Sequence, residues 1–379
     1  MNIGITCYPT YGGSGVVGTE LGKALAYRGH SVHFISYALP FRLDGYFKNI
    51  YFHEVETPDY PLFEMGVYPV SLASKMVDVA MYHKLDILHV HYAIPHATSA
   101  YLAKQILLEN GFDIKVITTL HGTDTTLIGI DPTLKPIVKF SIEKSDGVTA
   151  VSNYLKEATI QNFEIDQNKI VSIPNFINTN VWSRDNCPKL RSEFAPNGES
   201  VLVHTSNFRP IKRVNDCIKL FDLVRKEIPS KLIMVGDGPD RTETEMLCRE
   251  LNISEHVKFL GKQNALPAIL SACDLALITS ENESFSLSSL EALSCGVPVI
   301  STNRGGLVEL NIEAETGFLC DVGDIGTMAK RAIETLTDIK LFSHLKIKAR
   351  ERAVNNFSED IIVPHYENYY NDVLKSNSK

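Results

Sequence analysis

Residues 2–37, NIGITCYPTYGGSGVVGTELGKALAYRGHSVHFISY, read as four pieces in order. They are an apolar strand (Asn2–Tyr8), a glycine-rich loop (Tyr11–Gly15), a helix (Val16–Tyr27) closed by Gly29, and a second strand (Ser31–Tyr37). A helix of that length between two strands makes a β-α-β unit, whose crossover leaves the strands parallel. The pattern continues with strands at Ile87–His91, Lys115–Leu120 and Gly147–Val151, and helices at His96–Asn110 and Leu134–Lys144. After a polar, irregular stretch at Gln161–Trp182, it starts again. Strands at Ser200–Thr205, Lys231–Val235, Val257–Leu260, Leu275–Thr279 and Val299–Ser301 alternate with helices such as Val214–Glu227 and Ser286–Cys295.

The fold class is therefore α/β, with two Rossmann-like domains expected at 1–165 and 172–358 and facing each other across a cleft. The tyrosine-rich end, Glu359–Lys379, reads as a helix that packs back onto the first domain. In open parallel sheets ligands bind outside the carboxyl ends of the strands, so the informative loops are those that follow strands.

The charge balance excludes some classes of partner. The 379 residues carry a net charge of −8, which disfavours a general nucleic-acid binder because phosphates call for a basic surface. No apolar run approaches ~18 residues, so no stable membrane association is expected. The seven cysteines, Cys7, Cys187, Cys217, Cys248, Cys273, Cys295 and Cys320, contain no C-x-x-C and read as reduced thiols of a cytoplasmic protein. With no metal-ligand spacing among cysteines or histidines, no metal and no cofactor are expected. A homo-oligomer is expected, although no particular residue argues for it.

Two segments of the second domain carry chemistry. After the strand Ser200–Thr205 comes Ser206-Asn207-Phe208-Arg209-Pro210-Ile211-Lys212-Arg213, three cations within five residues. Arginine offers a planar fork to phosphate and lysine a movable charge. The second segment, Ser280-Glu281-Asn282-Glu283-Ser284-Phe285-Ser286-Leu287 and onward to Glu291, is a strand end, a polar loop and a helix start. The helix tip at Phe285–Leu287 has free N–H groups that suit phosphate. Glu291 stands among apolar neighbours and would need a partner such as ribose hydroxyls. The two segments together fit one diphosphate, with Glu291 on the ribose and Glu283 on sugar hydroxyls.

Arg209-x-x-Lys212 followed by Glu283 and Glu291 resembles the donor site of the retaining family-4 glycosyltransferases, which have a two-Rossmann "B" architecture. Gly236-Asp237-Gly238-Pro239, Cys295-Gly296-Val297-Pro298 and Arg304-Gly305-Gly306 resemble that family too. One departure is Ser286, where the family usually has glycine. The resemblance implies a UDP-sugar substrate and a donor lining of Gly13, Ser14, Gly15, Asn207, Arg209, Lys212, Gly236, Gln263, Glu283, Phe285, Ser286, Leu287 and Glu291. Gly13-Ser14-Gly15-Val16-Val17-Gly18 also matches G-x-G-x-x-G, but the second strand ends Ser36-Tyr37-Ala38 without the acid a dinucleotide ribose needs. The glycines are read instead as allowing close backbone approach to the sugar phosphate.

His121, in Leu120-His121-Gly122-Thr123-Asp124, matches a family histidine near the donor sugar. The catalytic set implied is His121, Arg209, Lys212 and Glu283, with His121 in a positioning role and Asp124 orienting its ring. The acceptor lining is expected from Ser14, Tyr92, Thr119, His121, Asn175 and Arg304, which suits a small polar anion. The stretches Thr6–Pro9, Pro40–Leu43, His91–His96 and Leu120–Asp124 resemble family members that move N-acetylglucosamine from UDP-GlcNAc to the hydroxyl of L-malate in bacillithiol biosynthesis. A lipid or glycan acceptor, a UDP-GlcNAc 2-epimerase and a non-catalytic nucleotide-sugar sensor stand as alternatives.

Overall fold

A computed structural model of the protein describes residues 1–10, 12–57, 67–184 and 188–376. Tyr11, Cys187 and the final stretch 377–379 of the expected C-terminal helix lie outside these residues. The chain divides into two compact units, Met1–Asn175 with Ile362–Lys379, and Phe176–Ile361.

The first unit is built on a seven-stranded sheet in the order β3-β2-β1-β4-β5-β6-β7. The strands are β1 Asn2–Thr6, β2 Ser31–Ser36, β3 Ile50–Glu54, β4 Ile87–His91, β5 Lys115–Leu120, β6 Gly147–Ala150 and β7 Ile170–Ser172. Every pairing is parallel. Helices α1 Gly13–Tyr27, α2 Tyr68–His83, α3 Thr98–Glu109, α4 Lys135–Lys144 and α5 Asn153–Phe163 belong to the same unit. The central strands β4 and β5 are buried along their whole length, as a parallel sheet covered on both faces requires.

The second unit has a six-stranded sheet, β10-β9-β8-β11-β12-β13, again all parallel. Its strands are β8 Ser200–Thr205, β9 Ser230–Val235, β10 Val257–Gly261, β11 Leu275–Ile278, β12 Val299–Thr302 and β13 Gly317–Cys320. Its helices are α6 Pro188–Phe194, α7 Val214–Glu227, α8 Arg241–Glu250, α9 Leu266–Ser271, α10 Leu287–Ser294, α11 Leu307–Leu310, α12 Ile325–Thr337 and α13 Ile339–Phe357. Helix α7 shows how they bind to the sheet. Val214, Cys217, Ile218, Phe221 and Val224 recur at helical spacing and join one apolar core with Leu202, Leu232, Leu275 and Ile300. A last helix, α14 Glu359–Lys375, begins in this unit, and the chain re-enters the first unit at Ile362.

In each sheet the strand order reverses direction once, beside β1 in the first unit and beside β8 in the second. A parallel sheet opens its ligand crevice at that switch point. The loops there follow β1 and β4 in one unit, and β8 and β11 in the other.

Three expectations need correction. The glycine loop is not a loop throughout, because α1 already starts at Gly13. A Cβ at Gly15 would lie 2.3 Å from the Tyr8 carbonyl oxygen, and one at Gly22 would lie 2.3 Å from the Phe34 ring. Glycine lets the first turn of the helix sit directly on the end of β1. The stretch 161–182 is not a plain linker, since β7 within it pairs with β6, and the first unit runs past the expected end at 165 to Asn175. Strand β3 and helix α2 add to the elements expected from the sequence pattern.

Helix α14 fills the first unit from outside the contiguous domain. Tyr366 and Tyr370 are fully buried there, and the Tyr370 hydroxyl lies 2.7 Å from Nδ1 of His89 in β4. Tyr370→Phe is expected to lower unfolding free energy by about 1–3 kcal/mol, the cost of stranding a buried hydrogen-bonding atom. Tyr370→Ala should lose about 3–5 kcal/mol through the cavity, read by urea denaturation.

Candidate functional site

The loop after β8 is shaped by one buried aromatic. Phe208 takes φ 37° and is fully buried in the core of the second unit, which leaves Asn207 and Arg209 exposed on either side of it. Beneath it, His204 lies 2.8 Å from the Leu277 carbonyl through Nδ1 and 2.9 Å from the Ser206 hydroxyl through Nε2. Burial, aided by the Lys212 charge, pulls His204 down to about 4, so the ring is a neutral prop. A single turn, Pro210–Lys212, then presents the cations.

That turn is sewn to the loop after β11. The Thr279 hydroxyl donates to the carbonyls of Lys212 and Arg213, at 3.0 and 3.1 Å. The Glu281 N–H donates to the Ile211 carbonyl at 2.8 Å. Lys212 Nζ meets Glu283 Oε1 at 2.6 Å, and the Ser280 hydroxyl donates to the same oxygen at 2.7 Å. Both members of this ion pair are mostly buried, with side chains 19% and 12% exposed. Arg213 is occupied by Asp216 at 2.6 Å. Arg209, by contrast, makes no ion pair among the described residues. The three expected cations thus have three different fates.

Helix α10 supplies the other half. The N–H groups at its start, from Ser286 through Ser288, take no backbone partner among the described residues, as helix geometry dictates. Ser286 precedes the helix at φ 81°, in the left-handed region that glycine favours. Its Oγ is turned back, accepting from the Ser289 N–H and sitting 2.9 Å from the Ser289 hydroxyl. The serine therefore caps its own helix, at a backbone cost of roughly 1–2 kcal/mol relative to glycine. The Phe285 ring is buried edge-on against Phe357, so this residue can offer only its backbone to a ligand. Glu291 is buried among the fully buried Leu290, Ala292 and Leu293.

Glycines bring the remaining segments close. A Cβ on Gly236 would lie 1.8 Å from the Ser206 carbonyl oxygen, and one on Gly238 2.0 Å from that of Asn207. A Cβ on Gly305 would lie 2.0 Å from the Glu283 carbonyl oxygen, which also accepts the Gly306 N–H at 2.7 Å. Arg304 beside it is exposed. Gln263 is half-buried, with its amide nitrogen donating to the Leu260 carbonyl at 2.6 Å. The carboxyl ends of β8 and β11 thus bring the cationic turn and the Glu283 carboxylate together just before α10, the helix that carries Glu291. A compact anion with hydroxyl groups attached is the ligand such a set can hold.

In the first unit, Gly13, Ser14 and Gly15 form the opening turn of α1. Tyr92 takes φ 90° directly after β4, and its ring lies 5.4 Å from that of Tyr8 and 5.4 Å from that of His121. His121 is half-buried, and its Nε2 lies 2.8 Å from Nδ1 of the buried His91. Burial, with His89 and His96 nearby, pulls His121 down to about 3. The ring is a neutral imidazole.

Two expectations fail here. Asp124 does not orient the His121 ring, which rests on His91. Its two oxygens instead accept backbone N–H groups, from Ala93 at 2.8 Å, Gly122 at 3.0 Å and His121 at 3.3 Å. Thr119 is no open acceptor contact either. It is fully buried, with its hydroxyl 2.7 Å from both His89 Nε2 and the Thr149 hydroxyl. Asn175 is also buried, and its Oδ1 has no hydrogen-bond partner among the described residues. The buried histidines His91 and His204 were missed as supports, because nothing in sequence spacing shows which ring props another.

Residues 11–181 match the family described as Glycosyltransferase Family 4, and residues 188–352 match Glycosyl transferases group 1. The chain is 47% identical to the N-acetyl-alpha-D-glucosaminyl L-malate synthase of Bacillus anthracis over 376 residues, 99% of this chain and 98% of that protein. It is 28% identical to the 2-deoxystreptamine N-acetyl-D-glucosaminyltransferase of Niallia circulans over 216 residues, 54% of each. Two solved structures share the fold. Anabaena HepE in complex with UDP and glucose has a TM-score of 0.79 at 21% identity, over 98% of this chain and 99% of that one. Sucrose-phosphate synthase from Thermosynechococcus elongatus has a TM-score of 0.80 at 20% identity, over 100% of both chains.

Burial pushes the Asp124 carboxyl up to about 6, against the opposing pull of its backbone donors. The folded protein therefore binds this proton more readily than the unfolded chain. The stability so gained is present in full below the ordinary Asp value and is lost as pH rises through about 6. Between pH 4 and pH 7 the native protein should lose on the order of 1–3 kcal/mol more stability than Asp124→Asn. Urea unfolding across that range checks this, and parallel profiles would contradict it.

Proposed function

The chain belongs to glycosyltransferase family 4, and on that premise we propose that it moves N-acetylglucosamine from UDP-N-acetylglucosamine to the hydroxyl of L-malate with retention of configuration. The identity to the Bacillus anthracis synthase over nearly the whole chain supports the donor and the acceptor. The geometric support is one observation, the Lys212 turn locked by Glu283 to the loop that leads into α10.

On this reading Arg209, Lys212 and the N–H groups of Ser286 and Leu287 hold the diphosphate of the donor. The positive charge that other glycosyltransferases draw from a divalent metal then comes from side chains and a helix end. Glu291 accepts the ribose hydroxyls. Glu283 holds Lys212 in place and accepts from hydroxyls of the transferred sugar. The bond from the sugar C1 to the β-phosphate oxygen breaks, and a bond from C1 to the malate oxygen forms on the same face. The malate hydroxyl proton passes to the departing phosphate oxygen. With its pKa pulled down to about 3, His121 is a weak base near pH 7, poorly suited to take the malate proton, so its assigned role is to position the sugar. Gly13, Ser14 and Gly15 are assigned to the donor, and Ser14, Tyr92 and Arg304 to the acceptor, where the arginine suits a carboxylate. A homo-oligomer in the cytoplasm belongs to the same proposal. For the location, the support is that all the described cysteines are free and buried.

Incubated with UDP-N-acetylglucosamine, the protein should release UDP only when L-malate is added. Release without malate, or release that only a lipid or glycan stimulates, would overturn the acceptor. Accumulation of a UDP-linked epimer would point to the other reaction class. Lys212→Ala should lower turnover about 10²–10³-fold at saturating donor, as when one preorganised donor to the departing charge is lost. Unchanged turnover would contradict its role. Glu291→Ala should chiefly raise the KM for donor, by roughly 10–100-fold for a lost charged hydrogen bond.

A further inference from the structure

Three histidines of the first unit lie together at the edge of its sheet. His33 is in β2, His53 in the edge strand β3, and His83 ends α2. The register pairs His33 with Tyr51 and Ile35 with His53, so His33 and His53 point to the same face of the sheet. His83 reaches that face from α2, which stops there because Lys84 takes φ 53°. One ring nitrogen from each histidine lies within 4.8 Å of the other two. Nδ1 of His33 and Nε2 of His53 are only 2.9 Å apart.

The His83 end of the cluster lies beside the amino end of β1, opposite to the loop that follows that strand. Asn2, at the opposite end of β1 from Tyr8, donates its side-chain amide to the carbonyls of His83 and Lys84 at 3.2 and 3.1 Å.

The surroundings favour a ligand over mere packing. His33 is nearly fully buried and has Tyr51 stacked on it at 4.7 Å, so its ring is fixed. Its Nε2 sits 3.2 Å from the Ser31 hydroxyl. With that nitrogen carrying the proton, the lone pair of Nδ1 points at the other two rings. A metal-binding histidine is normally oriented in this way by an outer partner. The nearby charges on α2, Lys75 and Asp78, lie 4.0 Å from each other. His53 and His83 are half-buried, which leaves a side open to solvent.

We propose that His33, His53 and His83 bind a divalent transition metal of the zinc class through three imidazole nitrogens, with the fourth position open to water. Zinc–nitrogen bonds of about 2.0–2.1 Å set tetrahedral ligands about 3.4 Å apart, so a small turn of the rings closes the site. The ion would tie α2 to the two outermost strands and act on stability, at a distance from the transfer chemistry.

The test uses the full chain stripped of metal by a chelator and titrated with Zn²⁺, and separately with Co²⁺. The expected result is one zinc per chain, a rise in the thermal midpoint, and visible cobalt bands of a four-coordinate nitrogen site. His53→Ala and His83→Ala should each abolish all three, while Ser31→Ala should weaken zinc binding about tenfold, the lower figure for losing an outer-shell partner. No stoichiometric uptake would overturn the proposal, as would uptake that persists in both histidine variants. If a variant fails to fold, the cobalt spectrum of the native chain decides. Thiolate charge-transfer bands would place the ion on cysteine and sink the site.

Discussion

The ion pair between Lys212 and Glu283 is the constraint on which the second unit's site depends. It joins the loop after β8 to the loop after β11, so a cation and an acid are held at the switch point of the sheet before any ligand arrives. Backbone bonds from Thr279 and Glu281 fix the same two loops. With Arg213 bound to Asp216 and Lys212 to Glu283, Arg209 is left as the outward charge. The arrangement suits differential stabilisation. On the proposed reading, Lys212 is positioned by Glu283 to meet the negative charge that develops on the departing phosphate.

The glycines around this pair are there for space. At Gly236, Gly238 and Gly305 any side chain would collide with a backbone oxygen of the two central loops. Ser286 is the contrasting case. It adopts a backbone that glycine would adopt freely, and it uses its hydroxyl to cap α10. Its side chain faces the helix, so the departure from the usual glycine leaves the N–H groups of the tip available.

The second unit was largely legible in the sequence because its chemistry lies in two contiguous loops, each following a buried strand. Arg209, Lys212, Glu283 and Glu291 stand in two short motifs, and their resemblance to the family's donor site supplied the roles expected of them. The first unit was harder to read because its functional groups are set by distant partners. His121 is oriented by His91 from the neighbouring strand, and Asp124 spends itself on backbone N–H groups that no side-chain pattern reveals. Thr119 reads as a polar residue at a strand end, yet its hydroxyl closes a buried chain with His89 and Thr149. The His33–His53–His83 cluster escaped for the same reason, since its members sit on three elements, and β3 and α2 went unread. Five-residue β3 is an edge strand with only one side paired and mixed burial, so its apolar signal is weak.

A crystal structure of the protein with UDP bound tests the central claim most directly. The account requires the diphosphate to lie within hydrogen-bond reach of Arg209 or Lys212 and of the α10 N–H groups, with the ribose on Glu291. A UDP molecule whose phosphates touch neither the cationic turn nor the helix tip would contradict it.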